Sequence, residues 1–188
     1  VSVAEGHAAG ADVVKARLRD AVELGVEELT VYAFSTENWS RSEDEVGALM
    51  AMFAHRIRSE TPELHEEGVR MRFIGRRDRI SAELVTLIND AEALTAGNDR
   101  ITLFVAFDYG GRDEILHAAE RFDGGTEDDF RALLYAPDMH DPDLVIRTSG
   151  EQRLSNYLIW QTAYAELVFA DELWPDYTRA CFERDLHT

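Results

Sequence analysis

The chain has 188 residues, 45% hydrophobic and 10% aromatic, which suits one globular domain with a packed core and excludes a disordered or low-complexity chain. Its 37 acidic and 19 basic side chains give a formal net charge of -18, which excludes broad nucleic-acid binding because such binding needs a basic face. A single cysteine, Cys181, excludes an internal disulfide and a thiolate metal cluster.

Helix and strand patterns alternate along the chain, with capping and glycine signals between them. The first half is predicted to form a helix from Ala11 to Leu24, closed by Gly25, and a strand from Glu28 to Phe34. A second helix begins at Ser42 and Glu45, and a strand from Val69 to Ile74 follows it. The apolar residues on one face of this second helix are Val46, Leu49, Met50, Phe53 and Ile57. Those predicted for the second half are a helix over Leu84 to Leu94, a strand from Ile101 to Phe107, helices from Asp113 to Arg121 and from Asp128 to Tyr135, and a strand from Leu144 to Ile146.

The strand from Ile101 to Phe107 is apolar on both faces, which is typical of a central strand in a parallel sheet. Together with the regular alternation, it predicts an α/β fold in which a single, mostly parallel β-sheet is flanked by helices. Neither an internal repeat nor a linker divides the chain, so we expect one domain over residues 1–188.

Common catalytic and targeting motifs are missing from the sequence. It has no GxxxxGK[ST] loop, no GxGxxG after a strand, no GxSxG elbow and no HExxH, and its six histidines are scattered. No apolar run approaches the ~20 residues of a membrane span, and the first residues do not resemble a signal peptide. We therefore expect a cytoplasmic protein.

The densest group of polar residues follows the last predicted strand. It runs from Arg147 to Asn156, RTSGEQRLSN, and holds two arginines, several hydroxyls and a glycine. Ligands of parallel α/β sheets bind beyond the carboxyl ends of the strands, so these residues suit a diphosphate or oxyanion site. The alternative is a solvated loop that caps the next helix.

A second polar group, Tyr32 to Arg41 or YAFSTENWSR, follows the first predicted strand. Here Asn38 could orient a substrate or accept a proton, Arg41 could bind a phosphate, and the aromatic side chains could line an apolar ligand. These residues also have ordinary structural explanations. Trp39 fits the apolar core, and Ser42 and Glu45, just after the segment, fit a helix cap.

The segments EGHAAG, YAFSTENWSRSEDEV, YGGRDEI and DPDLVIRTSGEQRLSNYLIWQTAYAELVFADELWPDY resemble the cis-prenyltransferase family, typified by undecaprenyl diphosphate synthase. The resemblance runs in register from about Glu5 to Tyr177. It implies a magnesium-dependent enzyme that condenses isopentenyl diphosphate onto an allylic diphosphate such as farnesyl diphosphate. It also implies a homodimer whose polyprenyl product brings it into peripheral contact with membranes.

The resemblance assigns roles to individual positions. It places Asn38 and His7 in catalysis and Glu166 on the magnesium ion, whereas without it Glu166 fits a solvated carboxylate at a strand end. The substrate-binding positions it implies are His7, Ser35, Thr36, Glu37, Asn38, Trp39, Arg41, Arg147, Arg153, Leu154 and Ser155. Because a neutral amide is a poor base, orientation of the substrate is the safer role for Asn38. The growing chain needs an apolar tunnel, expected along the helix from Val46 to Ile57 and the strands carrying Ala33 and Ile101 to Phe107, where core packing would give the same pattern.

The sequence also departs from the family pattern. The family's opening strand, which ends in DGNGRW and carries the principal magnesium aspartate and the allylic diphosphate loop, is expected before EGHAAG and does not occur in residues 1–188. The arginine- and glycine-rich tail of the family does not occur either. These departures leave open a catalytically silent member that serves as a subunit or interaction scaffold, although the retained diphosphate motifs favour an enzyme.

Overall fold

The computed structural model describes the backbone of residues 3–188 and the side chains from Gly10 onward. The helices are α1 (Val3–Glu23), α2 (Glu43–Glu66), α3 (Ala82–Thr95), α4 (Gly111–Ala119), α5 (Glu127–Arg131) and α6 (Arg179–Leu186). The strands are β1 (Glu28–Ser35), β2 (Val69–Ile74), β3 (Ile101–Tyr109), β4 (Leu144–Arg147) and β5 (Glu166–Phe169). Short 3₁₀ helices cover Thr36–Ser40 and Trp174–Asp176.

Local capping sets the ends of the first three helices. Gly25, with φ +79°, follows the end of α1 as predicted. The Ser42 hydroxyl accepts a hydrogen bond from the Glu45 amide at 3.3 Å, and Ser81 does the same for α3. The three acidic residues in the first turn of α2 also favour this helix start because they face the positive end of the helix dipole.

β1, β3 and β2 form a parallel sheet in that order, so β3 is its central strand as its apolar sequence predicts. Ser35 at the end of β1 lies beside Tyr109 at the end of β3. Ile74 at the end of β2 lies beside Ala106. The carboxyl ends of these strands therefore share one edge of the sheet.

The remaining strands, β4 and β5, pair in parallel with each other in a separate ladder, in register from Leu144 beside Glu166 to Arg147 beside Phe169. This corrects the expectation of a single sheet, while the α/β class with parallel strands flanked by helices is confirmed. Side chains join the two sheets: Tyr157, which follows β4, stacks on Tyr32 of β1 with ring centroids 4.5 Å apart.

Apolar clusters cover both faces of the larger sheet. The larger cluster contains Leu18 of α1, Leu49 of α2 and Ile88 of α3 against inward residues of the strands. The smaller one packs Phe104 and Tyr109 of β3 against residues that include Met139 and Leu158. In the part of the chain that the structure describes, no helix combines the length and apolar character of a membrane span.

Candidate active site

The loops after β1, β3 and β4 meet at the shared edge of the sheets. The Asn156 side-chain amide donates a hydrogen bond to Glu37 Oε1 at 2.9 Å, across 119 residues of sequence. The Gly111 amide donates to the Asn156 carbonyl oxygen at 2.7 Å. The structure thus brings together the two polar groups that the sequence singles out.

Arg147 ends β4 and extends towards Ser155. Its guanidinium donates to the Ser155 hydroxyl at 2.8 Å and forms no ion pair with any carboxylate among the described side chains. The loop between them is held by main-chain bonds, in which Ser149 N donates to Glu172 O and Gly150 N to Ala170 O. Ser149 and Ser155 both have positive φ, +72° and +52°, a backbone strain often found at functional sites. Arg147 is therefore a fixed cation whose charge is free for an anionic ligand.

Two other predicted phosphate-binding arginines have carboxylate partners. Arg153 forms an ion pair with Glu151, and both side chains are exposed. Arg41 forms an i,i+4 pair with Glu45 in the first turn of α2. Such exposed pairs contribute little stability, so a diphosphate can displace either carboxylate at small cost. Leu154 lies in a turn in which the Tyr157 amide donates to its carbonyl oxygen.

The turn after β1 is built around Asn38. Asn38 Oδ1 accepts a hydrogen bond from the Ser35 amide at 2.9 Å, which closes the start of the short 3₁₀ helix. The Asn38 side-chain NH₂ group has no acceptor among the described residues and can donate a hydrogen bond to a ligand. Next to it, the Thr36 hydroxyl donates to Glu37 Oε2 at 3.2 Å.

Trp39 is half-buried and packs against the core. Its ring lies edge-on to Phe34 with centroids 5.5 Å apart, and its Nε1 donates to Asp108 Oδ1 at 2.8 Å. Asp108 is fully buried and also forms an ion pair with Arg79, whose guanidinium lies 5.4 Å from the centroid of the Trp39 ring. The sequence pattern does not single out Asp108 or Arg79. The available signal was an acidic residue at the end of the most apolar strand.

A cavity of about 110 Å³ lies between the sheet and helices α1 and α2. Its walls include Ala33, Phe53, Ile57, Leu103 and Val105, which the sequence assigns to a tunnel. Residues from α1 and β2, among them Leu18 and Met71, complete the wall, and Lys15, Arg56 and Glu60 add charged groups. Since an engineered apolar cavity of about 150 Å³ holds benzene, this volume suits a small apolar group.

Comparison with known proteins identifies the family. The family model described as "Putative undecaprenyl diphosphate synthase" matches residues 1–188. The chain belongs to this family. Within the undecaprenyl diphosphate synthase family, it is 47% identical to isoprenyl transferase 2 of Bradyrhizobium diazoefficiens, covering 96% of this chain and 76% of that protein. It is 45% identical to the isoprenyl transferase of Thermotoga maritima, covering 98% of this chain and 83% of that protein.

Two solved structures share the fold. The lavandulyl diphosphate synthase of Lavandula x intermedia, crystallised in complex with dimethylallyl diphosphate, superposes with a TM-score of 0.93 at 34% identity, over 100% of this chain and 86% of that one. A probable undecaprenyl diphosphate synthase from Campylobacter jejuni gives a TM-score of 0.88 at 30% identity, over 96% and 88% of the two chains.

The structure does not bring Glu166, the predicted magnesium ligand, to the meeting point of the loops. Glu166 begins β5 beside Leu144, at the end of the small ladder opposite Arg147, and its exposed carboxylate has no partner among the described side chains. The side chain of His7 lies outside the described residues.

The chemistry of the donor set limits how magnesium could bind. No group of three or more His, Cys, Asp or Glu side chains in the described part of the chain could hold a metal ion. Magnesium in phosphate-processing sites takes one or two carboxylates, with the rest of its ligands from substrate phosphates and water. A single carboxylate such as Glu166 therefore fits an ion that arrives with a diphosphate, and does not fit an ion held by protein ligands alone.

Proposed function

We propose that the protein catalyses cis-prenyl chain elongation, in which isopentenyl diphosphate condenses with an allylic diphosphate such as farnesyl diphosphate to form a Z-polyprenyl diphosphate. In each cycle a carbon–carbon bond forms, the allylic carbon–oxygen bond breaks, diphosphate leaves, and the isopentenyl unit loses a proton. The observation that carries the proposal is Arg147, a cation without a carboxylate partner among the described side chains, held beside Ser155 at the end of β4.

The described residues divide the work between binding and orientation. Arg147, Arg153 and Ser155 bind the diphosphate of isopentenyl diphosphate, because guanidinium groups match phosphate oxygens in a bidentate geometry. Asn38, with its oxygen held by the Ser35 amide, orients the bound substrate through its free amide nitrogen. The apolar cavity beside Ala33 takes the hydrocarbon chain away from water.

The direct test is to incubate the full-length protein with labelled isopentenyl diphosphate, farnesyl diphosphate and Mg²⁺. The products are then analysed by chain length and double-bond geometry. We expect Z-polyprenyl diphosphates, and a shift to shorter products when Ala33→Leu narrows the cavity. Binding of isopentenyl diphosphate without turnover, under all conditions, would instead support the silent subunit.

We also propose that the reaction depends on Mg²⁺ and that Glu166 contributes a carboxylate to an ion carried by the leaving allylic diphosphate, since Glu166 lies at the end of the small ladder opposite Arg147. The ion would neutralise charge on the leaving diphosphate. Glu166→Gln keeps the size of the side chain but removes the charge that a hard cation prefers. We expect about ten times more Mg²⁺ to be needed for half-maximal activity, a shift typical of the 10- to 100-fold effects seen at metal sites, with little change in melting temperature.

The matched control for Glu166 is Glu120→Gln, which changes another exposed carboxylate that has no described partner. Its magnesium titration should superimpose on that of the unmodified protein. A Glu166→Gln titration that also superimposes would make Glu166 an ordinary surface residue.

We further propose a cytoplasmic homodimer that pairs through the surface of β5. Leu167 and Phe169 are 46% and 38% exposed on this strand, and Tyr164 just before it is 96% exposed. Adjacent exposed apolar side chains of this size mark protein contact surfaces. We expect sedimentation equilibrium to give twice the mass of one chain for the unmodified protein. The Leu167→Arg variant should have the mass of a monomer. Leu94→Arg, on an equally exposed leucine of α3, should leave the dimer intact.

A further inference from the structure

The glycine pair at the junction of β3 and α4, Gly110 and Gly111, lets two loops approach closely. A Cβ atom on Gly110 would lie 2.6 Å from Thr36 Oγ1 and 2.8 Å from Asn156 Nδ2. A Cβ on Gly111 would lie 2.9 Å from Ile159 Cγ1 and 3.2 Å from the Asn156 carbonyl oxygen. Any larger residue at either position would push these loops apart. The YGGR segment therefore serves the contact between the loops after β1 and β4.

Asn156 uses its main-chain oxygen and both polar atoms of its side chain in this contact. Its carbonyl oxygen accepts from the Gly111 amide at 2.7 Å and its Oδ1 accepts from the Arg112 amide at 2.8 Å. These are the first amides of α4, which have no acceptor within the helix. Its Nδ2 then donates to Glu37 Oε1 at 2.9 Å. One side chain thus ties the start of α4 to the loop after β1.

The backbone at this position also favours asparagine. Asn156 has φ +63°, in the left-handed region that asparagine and aspartate tolerate better than most residues. Ser155, with φ +52°, precedes it and accepts the hydrogen bond from Arg147. Because Ser155 directly precedes Asn156, the backbone conformation at Asn156 sets the position of the Ser155 hydroxyl that Arg147 contacts.

We propose that Asn156 is a positioning residue of the active site, which holds the loop carrying Ser155 in register with the loop carrying Asn38. This inference rests on the proposed function. Asn156 acts through its neighbours: Glu37 precedes Asn38 in the chain, and Ser155 precedes Asn156 itself. Its amide nitrogen is occupied by Glu37, and its two oxygens are occupied by the start of α4.

The hydrogen bond between Asn156 and Glu37 needs a donor at position 156, because Glu37 carries a negative charge. Burial by itself would raise the pKa of Glu37, but hydrogen bonds, chiefly from Asn156, hold that pKa below its usual value. Glu37 is therefore an ionised acceptor at neutral pH. An aspartate at position 156 would keep the acceptor for the Arg112 amide and the tolerated backbone conformation. It would also place a second carboxylate against Glu37.

The test compares Asn156→Asp, Glu37→Gln and the double variant in the gene-length protein. We expect Asn156→Asp to raise the apparent KM for isopentenyl diphosphate about 5- to 20-fold, at or below the lower end of the range for charge-assisted bonds because both partners are partly solvated. In the double variant the glutamine side chain at position 37 can donate a hydrogen bond to the aspartate at position 156. We therefore expect the apparent KM for isopentenyl diphosphate to return most of the way to that of the unmodified protein.

A second readout separates this inference from the proposed function. Urea unfolding of the same four proteins measures coupling between positions 37 and 156 without turnover, and we expect the double variant to be more stable than Asn156→Asp. If the unmodified protein makes no prenyl product but this coupling is found, the proposed function fails while the link between the loops stands.

The matched control is Asn98→Asp, away from the site. Asn98 Nδ2 donates to the main-chain oxygen of Val69 at 2.7 Å and not to a carboxylate. It should lower stability without moving the KM for isopentenyl diphosphate. The positioning role would be overturned if the effects of Asn156→Asp and Glu37→Gln on KM and on the free energy of unfolding simply add. It would also be overturned if Asn156→Asp, like Asn98→Asp, changes only the stability.

Discussion

Replacing Arg147 with alanine is expected to raise the apparent KM for isopentenyl diphosphate about 10- to 150-fold, the equivalent of losing one charge-assisted contact. The expectation rests on its environment. Its partner among the described side chains is the neutral Ser155 hydroxyl, so its charge is not already compensated by the protein. Lysine at this position should restore only part of the binding, since an ammonium group cannot form the same paired bonds to phosphate oxygens.

Arg153→Ala should give a smaller effect within the same range. Arg153 is paired with Glu151 in the free protein, so binding a diphosphate exchanges one anionic partner for another. The matched control is Arg58→Ala on α2, because Arg58 and Arg153 are both 59% exposed and both paired with a glutamate. Steady-state kinetics with varied isopentenyl diphosphate measures all of these variants. An unchanged KM in both Arg147→Ala and Arg153→Ala would remove the assignment of this loop to the substrate.

The larger sheet and its helices could be predicted from sequence because each element carries its own signal. β2 spans the predicted residues, Val69–Ile74, and β1 and β3 extend one and two residues beyond their predictions. Their burial makes them apolar on alternate or on both faces, which is visible locally. β5 was not predicted, because its four residues are mostly exposed and show no alternation of apolar and polar side chains. The division into two ladders depends on long-range pairing that no local pattern encodes.

The candidate site could be predicted in part for a related reason. The positions of Arg147, Ser155 and Asn38 after strand ends predicted their shared edge, and the Asn156 bond to Glu37 joins their loops. The residues that hold the site were missed because their partners are distant in sequence. Asp108 meets Trp39 only once β1 and β3 pair with Ser35 beside Tyr109.

The largest stability effect is expected at Asp108. Its carboxylate is fully buried, forms an ion pair with Arg79 and accepts from Trp39 Nε1, so its loss would leave a cation and an indole N–H without their acceptor. Removing one member of a buried pair typically costs about 3 to 5 kcal/mol. Because the Arg79 side chain stays 34% exposed, we expect about 2 to 3 kcal/mol for Asp108→Ala, measured by urea unfolding.

Asp108→Asn separates the charge from the shape at this position. Asparagine keeps an oxygen for Trp39 and tolerates the φ of +48° found here, so it should retain most of the stability lost in Asp108→Ala. Asp113→Ala is the matched control, since Asp113 is partly exposed and its contacts with Arg76 and Tyr135 are both 3.3 Å long. It should cost less than about 1 kcal/mol. Because Trp39 directly follows Asn38, Asp108→Ala should also lower kcat/KM more than Asp113→Ala does. Equal unfolding free energies for Asp108→Ala and Asp113→Ala would show that the buried carboxylate does not hold Trp39 in place.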